Sequence, residues 1–262
     1  MKSLYAALYC ELLKIRRSRV FLISLVFFVF ISLMMGLLML IAKHPELAEN
    51  SAILSTKASL IGTADWPSYF DLLMQLGLVL GVIGPGIVTI WVFGREYSDR
   101  VIKDILAMPV SRFYIICSKL IVVFFWSFLL LTLMFLTGIF AGLLTGLDKW
   151  DTALLIKNLI VYSESSLLTI LLITPVALIT CVSRGYLLPV GFLILIMIIT
   201  QFLFVGLEGL APYFPWAIPA LITGVAGADT PAAVIVSYII MGAASLAGFL
   251  GTAAWWRYAD HH

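Results

Sequence analysis

Charge is what this sequence has least of. Only 11% of its 262 residues are Asp, Glu, Lys or Arg, against 63% hydrophobic residues and a mean hydropathy of +1.12. So small a polar inventory cannot cover a water-soluble globule of this size, which excludes that class. Cysteine is also scarce: Cys10, Cys117 and Cys181 are far apart and have no histidine beside them. A disulfide framework and a thiolate metal cluster are therefore not expected. The closing pair His261 and His262 reads as the start of a purification tag and is given no metal role. A GxxxxGK[ST] phosphate loop is missing, and the dipeptide Gly-Lys does not occur at all, so the chain does not bind ATP by that route. Nor are Ser, His and Asp grouped for nucleophilic catalysis; the acids Glu46, Glu49, Asp65, Asp148 and Asp151 are scattered. No catalytic residue and no metal or cofactor bound by this chain is expected.

What fills the sequence is long apolar runs. A bilayer-spanning helix needs about 20 mostly apolar residues, because the hydrocarbon core is about 30 Å thick and each residue rises about 1.5 Å. Six runs qualify, at roughly 20–42, 72–93, 120–144, 159–180, 186–206 and 232–254. The fold expected is all-α and polytopic, one transmembrane unit over 1–262. The first run is too long for a signal peptide and no small-residue cleavage site follows it closely, so it is expected to stay in the mature protein.

Basic residues orient the spans. With the N-terminus inside, Lys2, Lys14, Arg16, Arg17, Arg19, Arg95, Arg100, Lys103, Arg112, Lys119, Arg184 and Arg257 share one side, against Lys43, Lys57, Lys149 and Lys157 on the other. This imbalance predicts cytoplasmic termini. Ahead of the first span, Leu4, Leu8, Leu12 and Ile15 recur at helical spacing, with Tyr5, Tyr9 and Leu13 beside them, so residues 1–19 read as an interfacial amphipathic helix. Its Glu11, Lys14, Arg16, Arg17 and Arg19 are candidates for lipid contact or a secondary protein interface.

Between the second and third spans lies the longest charged stretch, Gly94 to Lys119. Tyr97, Val101, Ile105 and Met108 would share one helical face, and Glu96/Arg100 and Asp99/Lys103 are acid-before-base pairs at i,i+4. Pro109 would end such a helix. Two readings are open on this pattern alone: a helix lying on lipid, or one docking into a cytosolic partner.

The run Gly94-Arg95-Glu96-Tyr97-Ser98-Asp99-Arg100, with Lys103, Ile105, Pro109 and Arg112 after it, resembles the first cytoplasmic loop of ABC type-2 permeases. Glu11-Leu12-Leu13-Lys14-Ile15-Arg16-Arg17 is similar to the stretch preceding the first span in that family. Cys181 to Tyr186 and Tyr213 to Pro219 resemble, more briefly, its bacitracin and lantibiotic self-protection branch. The resemblance implies a bacterial cell-membrane permease subunit of an ATP-binding-cassette exporter, moving or extracting a hydrophobic peptide, antibiotic or lipid-like substrate. It further implies two cytosolic ATPase subunits holding ATP and Mg, and a second copy or a similar permease as dimer partner. Residues 94–112 would then be the coupling helix region. Arg95, Glu96, Tyr97, Arg100, Val101, Lys103 and Ile105 would dock the ATPase, apolar members filling a groove and charged ones setting register at its rim.

Other features remain two-sided. Glu164, with Tyr162 and Ser165, and Gln201 place polar groups inside spans, as a substrate lining or as structural hydrogen bonds. Gly84-Pro85-Gly86 suggests a hinge in the second span. Gly77/Gly81, Gly138/Gly142, Gly142/Gly146 and Ala244/Gly248 have the spacing of close helix contacts. Trp66 and Tyr69, and Trp255, Trp256 and Tyr258, are placed as interfacial anchors. Residues 207–230, apolar and broken by prolines, read as an outer re-entrant hairpin. A proton-coupled carrier using Glu164, or a membrane anchor for a cytosolic complex, are the alternative functions.

Overall fold

A computed structural model describes residues 2–44, 46, 63–102, 110–224 and 234–258. Its helices, in order, are α1 (Lys2–Arg16), α2 (Arg19–Lys43), α3 (Trp66–Ser98), α4 (Arg112–Thr145), α5 (Thr152–Leu171), α6 (Thr174–Ser183), α7 (Leu187–Gly206), α8 (Ile218–Thr223) and α9 (Ile235–Tyr258). Among the described residues, six stretches are long and apolar enough to cross a membrane, α5 and α6 together making the fourth. All six agree with the runs read from sequence. At 33 and 34 residues, α3 and α4 extend well beyond what a bilayer core requires.

Small residues and backbone-seeking hydroxyls set the packing. A Cβ on Gly36 would lie 2.5 Å from that of Ala141, which brings α2 close against α4. Ser32 donates to the Met134 carbonyl at 2.6 Å along the same seam. Gly142 leaves room for Trp66 and Tyr69, and the Tyr69 hydroxyl donates to the Gly138 carbonyl at 2.8 Å. Trp66 and Tyr69 are consequently core residues instead of the interfacial anchors expected, because glycines on α4 open a slot for them. Trp256 is likewise fully buried and donates to Cys181 Sγ at 3.2 Å, whereas Tyr258 is exposed. Of the expected glycine pairs, Gly77, Gly138, Gly142 and Gly248 face neighbouring helices closely; Gly146 instead caps α4 in the left-handed conformation.

One break differs from the sequence reading. The fourth span is interrupted at Leu172 and Ile173, because Pro175 has no amide hydrogen and its ring conflicts with the carbonyl four residues back. Thr174 at the break donates to the Ser245 carbonyl of α9 at 2.6 Å. In contrast, Gly84-Pro85-Gly86 does not end its helix: α3 runs through it, all three residues are buried, and Thr89 donates to the Pro85 carbonyl at 2.7 Å. Both glycines sit against side chains, Gly84 at Phe28 and Gly86 at Leu193, so packing accounts for them.

After α7 the chain makes 3-10 turns at Glu208–Tyr213 and Pro215–Ala217, then the short α8. Ala211, Ala217 and Ile218 are fully buried there. The part of the expected re-entrant segment at 225–230 lies outside the described residues, as do His261 and His262.

Candidate functional site

Where α1, the end of α3 and the start of α4 meet, four charged side chains form one cluster. On α1, Glu11 and Lys14 are three residues apart and share a face, and the Lys14 ammonium lies 2.6 Å from Glu11 Oε1. The same ammonium reaches Glu96 Oε1 on α3 at 3.0 Å. From α4, Lys119 donates to Glu96 Oε1 at 2.6 Å, to Glu11 Oε1 at 3.3 Å and to the Val92 carbonyl at 3.3 Å. An ammonium has three hydrogens, and all three are thereby used. Lys119 is 0% exposed and Glu96 1%. Burial that deep is tolerable because two acids and two bases balance, and each charge is hydrogen-bonded to its opposite.

Electrostatics at the α1 side follow from the same geometry. Burial pushes the Glu11 carboxyl up, but Lys119 and Lys14 outweigh it and hold the group below its ordinary value. Burial likewise works against the Lys14 charge, and Glu96 with Glu11 more than restores it, raising its pKa.

Glu96 is thus an interior residue of α3, not a member of a separate helix spanning 96–108. The chain leaves α3 by a Schellman turn: Val101 N–H bonds the Glu96 carbonyl at 3.1 Å and Arg100 N–H the Tyr97 carbonyl at 3.2 Å, with Arg100 at φ 58°. This left-handed residue breaks the expected helical register, and Glu96 pairs with lysines instead of with Arg100. Tyr97 is half-buried, its hydroxyl beside Cys181 and Trp255. Arg95 lays its guanidinium over the Trp91 ring, 4.7 Å from the centroid. Arg100 and Val101 are exposed, and Ile102 turns back into the core. Lys103 and Ile105 lie outside the described residues. On the far side of that segment, Arg112 donates to the Trp256 carbonyl at 2.8 Å and to that of Arg257 at 3.3 Å, closing the end of α9. On α1 and just after it, Arg16, Arg17 and Arg19 are exposed.

Lys119 is the residue that sequence reasoning missed. It stands next to the third apolar run, where a lysine ordinarily reaches the headgroups, and its partners are 23 and 108 residues away. Seven residues of helix precede it, from Arg112, and that depth was the available signal.

A cavity of about 400 Å³ lies toward the opposite end, between α3, α5, α7 and the turns leading into α8. Gln201 lines it together with Gln75, Thr169, Thr200 and Trp216. Tyr162 and Ser165 do not: the Tyr162 hydroxyl donates to the Leu131 carbonyl at 2.9 Å, its ring stacks on Phe135 at 4.5 Å, and Ser165 donates to the Tyr162 carbonyl at 3.0 Å. Those two residues pack helices. Glu164 is exposed on another face of α5, near Tyr238. Capping this end, Asp65 pairs with Lys149 at 2.6 Å and accepts from Ser68 N–H at 3.1 Å, while Lys43 donates to the Gly146 carbonyl.

A family model described as ABC-2 family transporter protein matches residues 7–201, a range that holds all four cluster residues and most of the cavity lining. The chain is also similar to the bacitracin transport permease protein of Bacillus licheniformis, with 26% identity over 196 residues, or 74% of this chain and 92% of that protein.

Proposed function

The chain belongs to the ABC-2 family of transporter proteins and is a multi-pass membrane permease; from that premise we propose that two ATPase subunits drive it through the segment between α3 and α4. The basic end of the bundle faces the cytoplasm, where twelve of the sixteen Lys and Arg residues collect. ATP and its Mg stay with the partner subunits. Arg100 and Val101, and beyond them Lys103 and Ile105, meet the ATPase; Glu96 and Tyr97 hold the segment's root inside the permease. The cargo is a hydrophobic peptide, antibiotic or lipid-like molecule. A relative named for bacitracin transport supports the antibiotic class, and the largely apolar lining of the cavity supports a hydrophobic one. A second copy, or a similar permease, completes the path.

The observation that carries this reading is the ion-pair cluster of buried Glu11, Glu96 and Lys119 with the part-buried Lys14. It ties α1 to both helices that flank the docking segment, so force applied there enters three helices together. The test is co-purification with an ATPase subunit and measurement of cargo-stimulated ATP hydrolysis in Val101→Asp. Loss of assembly and of stimulation is expected, since a carboxylate would be buried in an apolar groove. Assembly and stimulation at wild-type levels would remove the docking assignment.

A further inference from the structure

A second basic feature at the same end is not absorbed by the coupling role. A pocket of about 490 Å³ opens between α1, the end of α3 and the start of α7, walled by Lys14, Arg17, Trp91, Arg95, Asp99 and Tyr186. Its charges can be counted one by one. Lys14 belongs to the balanced four-residue cluster and adds no net charge. Among the described residues, neither Arg17 nor Arg95 lies within ion-pair distance of a carboxylate. Two guanidinium groups therefore face one carboxylate, Asp99, and the pocket is net positive. The Arg95 guanidinium lies over the Trp91 ring, 4.7 Å from its centroid, a contact that holds the group at the pocket wall while its N–H groups are available to a ligand. Lys14, with two of its three hydrogens on Glu11 and Glu96, has one more to give.

We propose that this pocket holds the phosphate of an anionic phospholipid. Planar guanidinium donors beside an ammonium fit phosphate oxygens, which accept several charge-assisted hydrogen bonds at once. The surroundings favour a lipid over a soluble phosphate. The helices starting beside the pocket expose apolar side chains, Leu22, Ile23 and Val26 on α2 and Leu187 and Leu188 on α7, along which acyl chains would lie. Trp91 and Tyr186, amphipathic rings of the kind that settle at headgroup depth, line the pocket itself. A volume of 490 Å³ is within the range of small-ligand sites, about 300–1,000 Å³, and ample for one headgroup. The lipid would then seal the seam between α1 and α7 that no described side chain fills.

The full-length chain, purified in detergent and analysed by native mass spectrometry, tests this with phosphatidylglycerol against phosphatidylcholine of the same acyl chains. The wild-type chain should retain phosphatidylglycerol preferentially, and Arg95→Gln should cut that retention about fivefold, as expected for one basic residue at an anionic surface. Asp99→Asn should raise it, since the opposing charge is removed, and this gain guards against mistaking misfolding for loss of a ligand. Added salt should weaken retention. Four results would overturn the proposal: no preference in the wild-type chain, both variants retaining lipid as the wild type does, retention of inorganic phosphate in place of the lipid, or Arg95→Gln losing ATPase assembly with lipid retention unchanged.

Discussion

The Lys119 ammonium sits 2.6 Å from Glu96 Oε1, and neither side chain is more than 1% exposed. Removing one partner leaves the other buried with an incomplete shell, which is far more costly than removing both. Lys119→Met should destabilise the purified permease by about 3 kcal/mol, because Glu96 keeps only Lys14. The double variant Lys119→Met with Glu96→Met should lose less than the two single losses added together, with a coupling of about 1 kcal/mol or more. Thermal unfolding in detergent measures all three; strict additivity would show that the pair does not act as one.

Close helix approach predicts a contrast between two glycines. A Cβ on Gly248 would meet the backbone of α6, 2.5 Å from Thr174 C and 2.8 Å from Pro175 Cα, neither of which can turn aside. Gly248→Ala should cost about 1–3 kcal/mol through this overlap. Gly191 of α7 has nothing within 4 Å of that position. Gly191→Ala should be neutral or gain up to about 1 kcal/mol from helix propensity. Equal unfolding midpoints for the two variants would contradict the packing described.

Arg100 occupies a conformation, φ 58°, that disfavours any residue with a Cβ. Arg100→Gly should raise stability by about 1 kcal/mol, whereas Arg100→Ala, which keeps the Cβ, should give no such gain. An equal response to both would mean that the helix does not stop there.

At the opposite end, the hydrogen bond from Lys149 is the main cause lowering the Asp65 pKa to about 2. A carboxyl depressed in the folded state stabilises above its ordinary pKa of 3.8, and that contribution disappears as pH falls through about 2. The unfolding temperature of the wild type should therefore drop between pH 4 and pH 2 more than that of Asp65→Asn, which lacks the titrating group. Parallel pH profiles would remove the ion pair from the account.

The cavity and the packing residues around it should separate in assay. Gln201→Trp, which fills part of the 400 Å³ space, should lower cargo-stimulated ATP hydrolysis with little change in stability. Tyr162→Phe should do the reverse, losing about 1 kcal/mol with the hydrogen bond to the Leu131 carbonyl while stimulation persists. The converse pattern would move the substrate path to α5.

Much of the fold was legible because bilayer thickness is a length rule, and runs such as 20–42 and 186–206 satisfy it without reference to partners. The glycines at 138, 142 and 248 were legible by spacing for the same reason. What escaped was pairing at a distance. Nothing local to Lys119 reveals that Glu11, 108 residues earlier, completes its shell. The Schellman stop was hidden because its left-handed residue is an arginine and not the usual glycine, so Glu96 was assigned to the wrong helix. Pro175 did signal the break in the fourth span, but hydropathy carried the reading across it. Gln201 was legible as a polar group inside a span, and Thr169, which lines the same cavity, was not, because a threonine can satisfy its own helix, as it does by bonding the Ser165 carbonyl at 2.7 Å.

The three bonds of Lys119 end on three different groups, so the ammonium has no intermediate resting place. A shear between α1, α3 and α4 would therefore strain bonds to Glu11, Glu96 and the Val92 carbonyl at once. If the docking assignment holds, a push at the root of the segment between α3 and α4 would load α1, α3 and α4 together, and the interruption between α5 and α6 at Leu172 and Ile173 is a place where the described helices are already discontinuous.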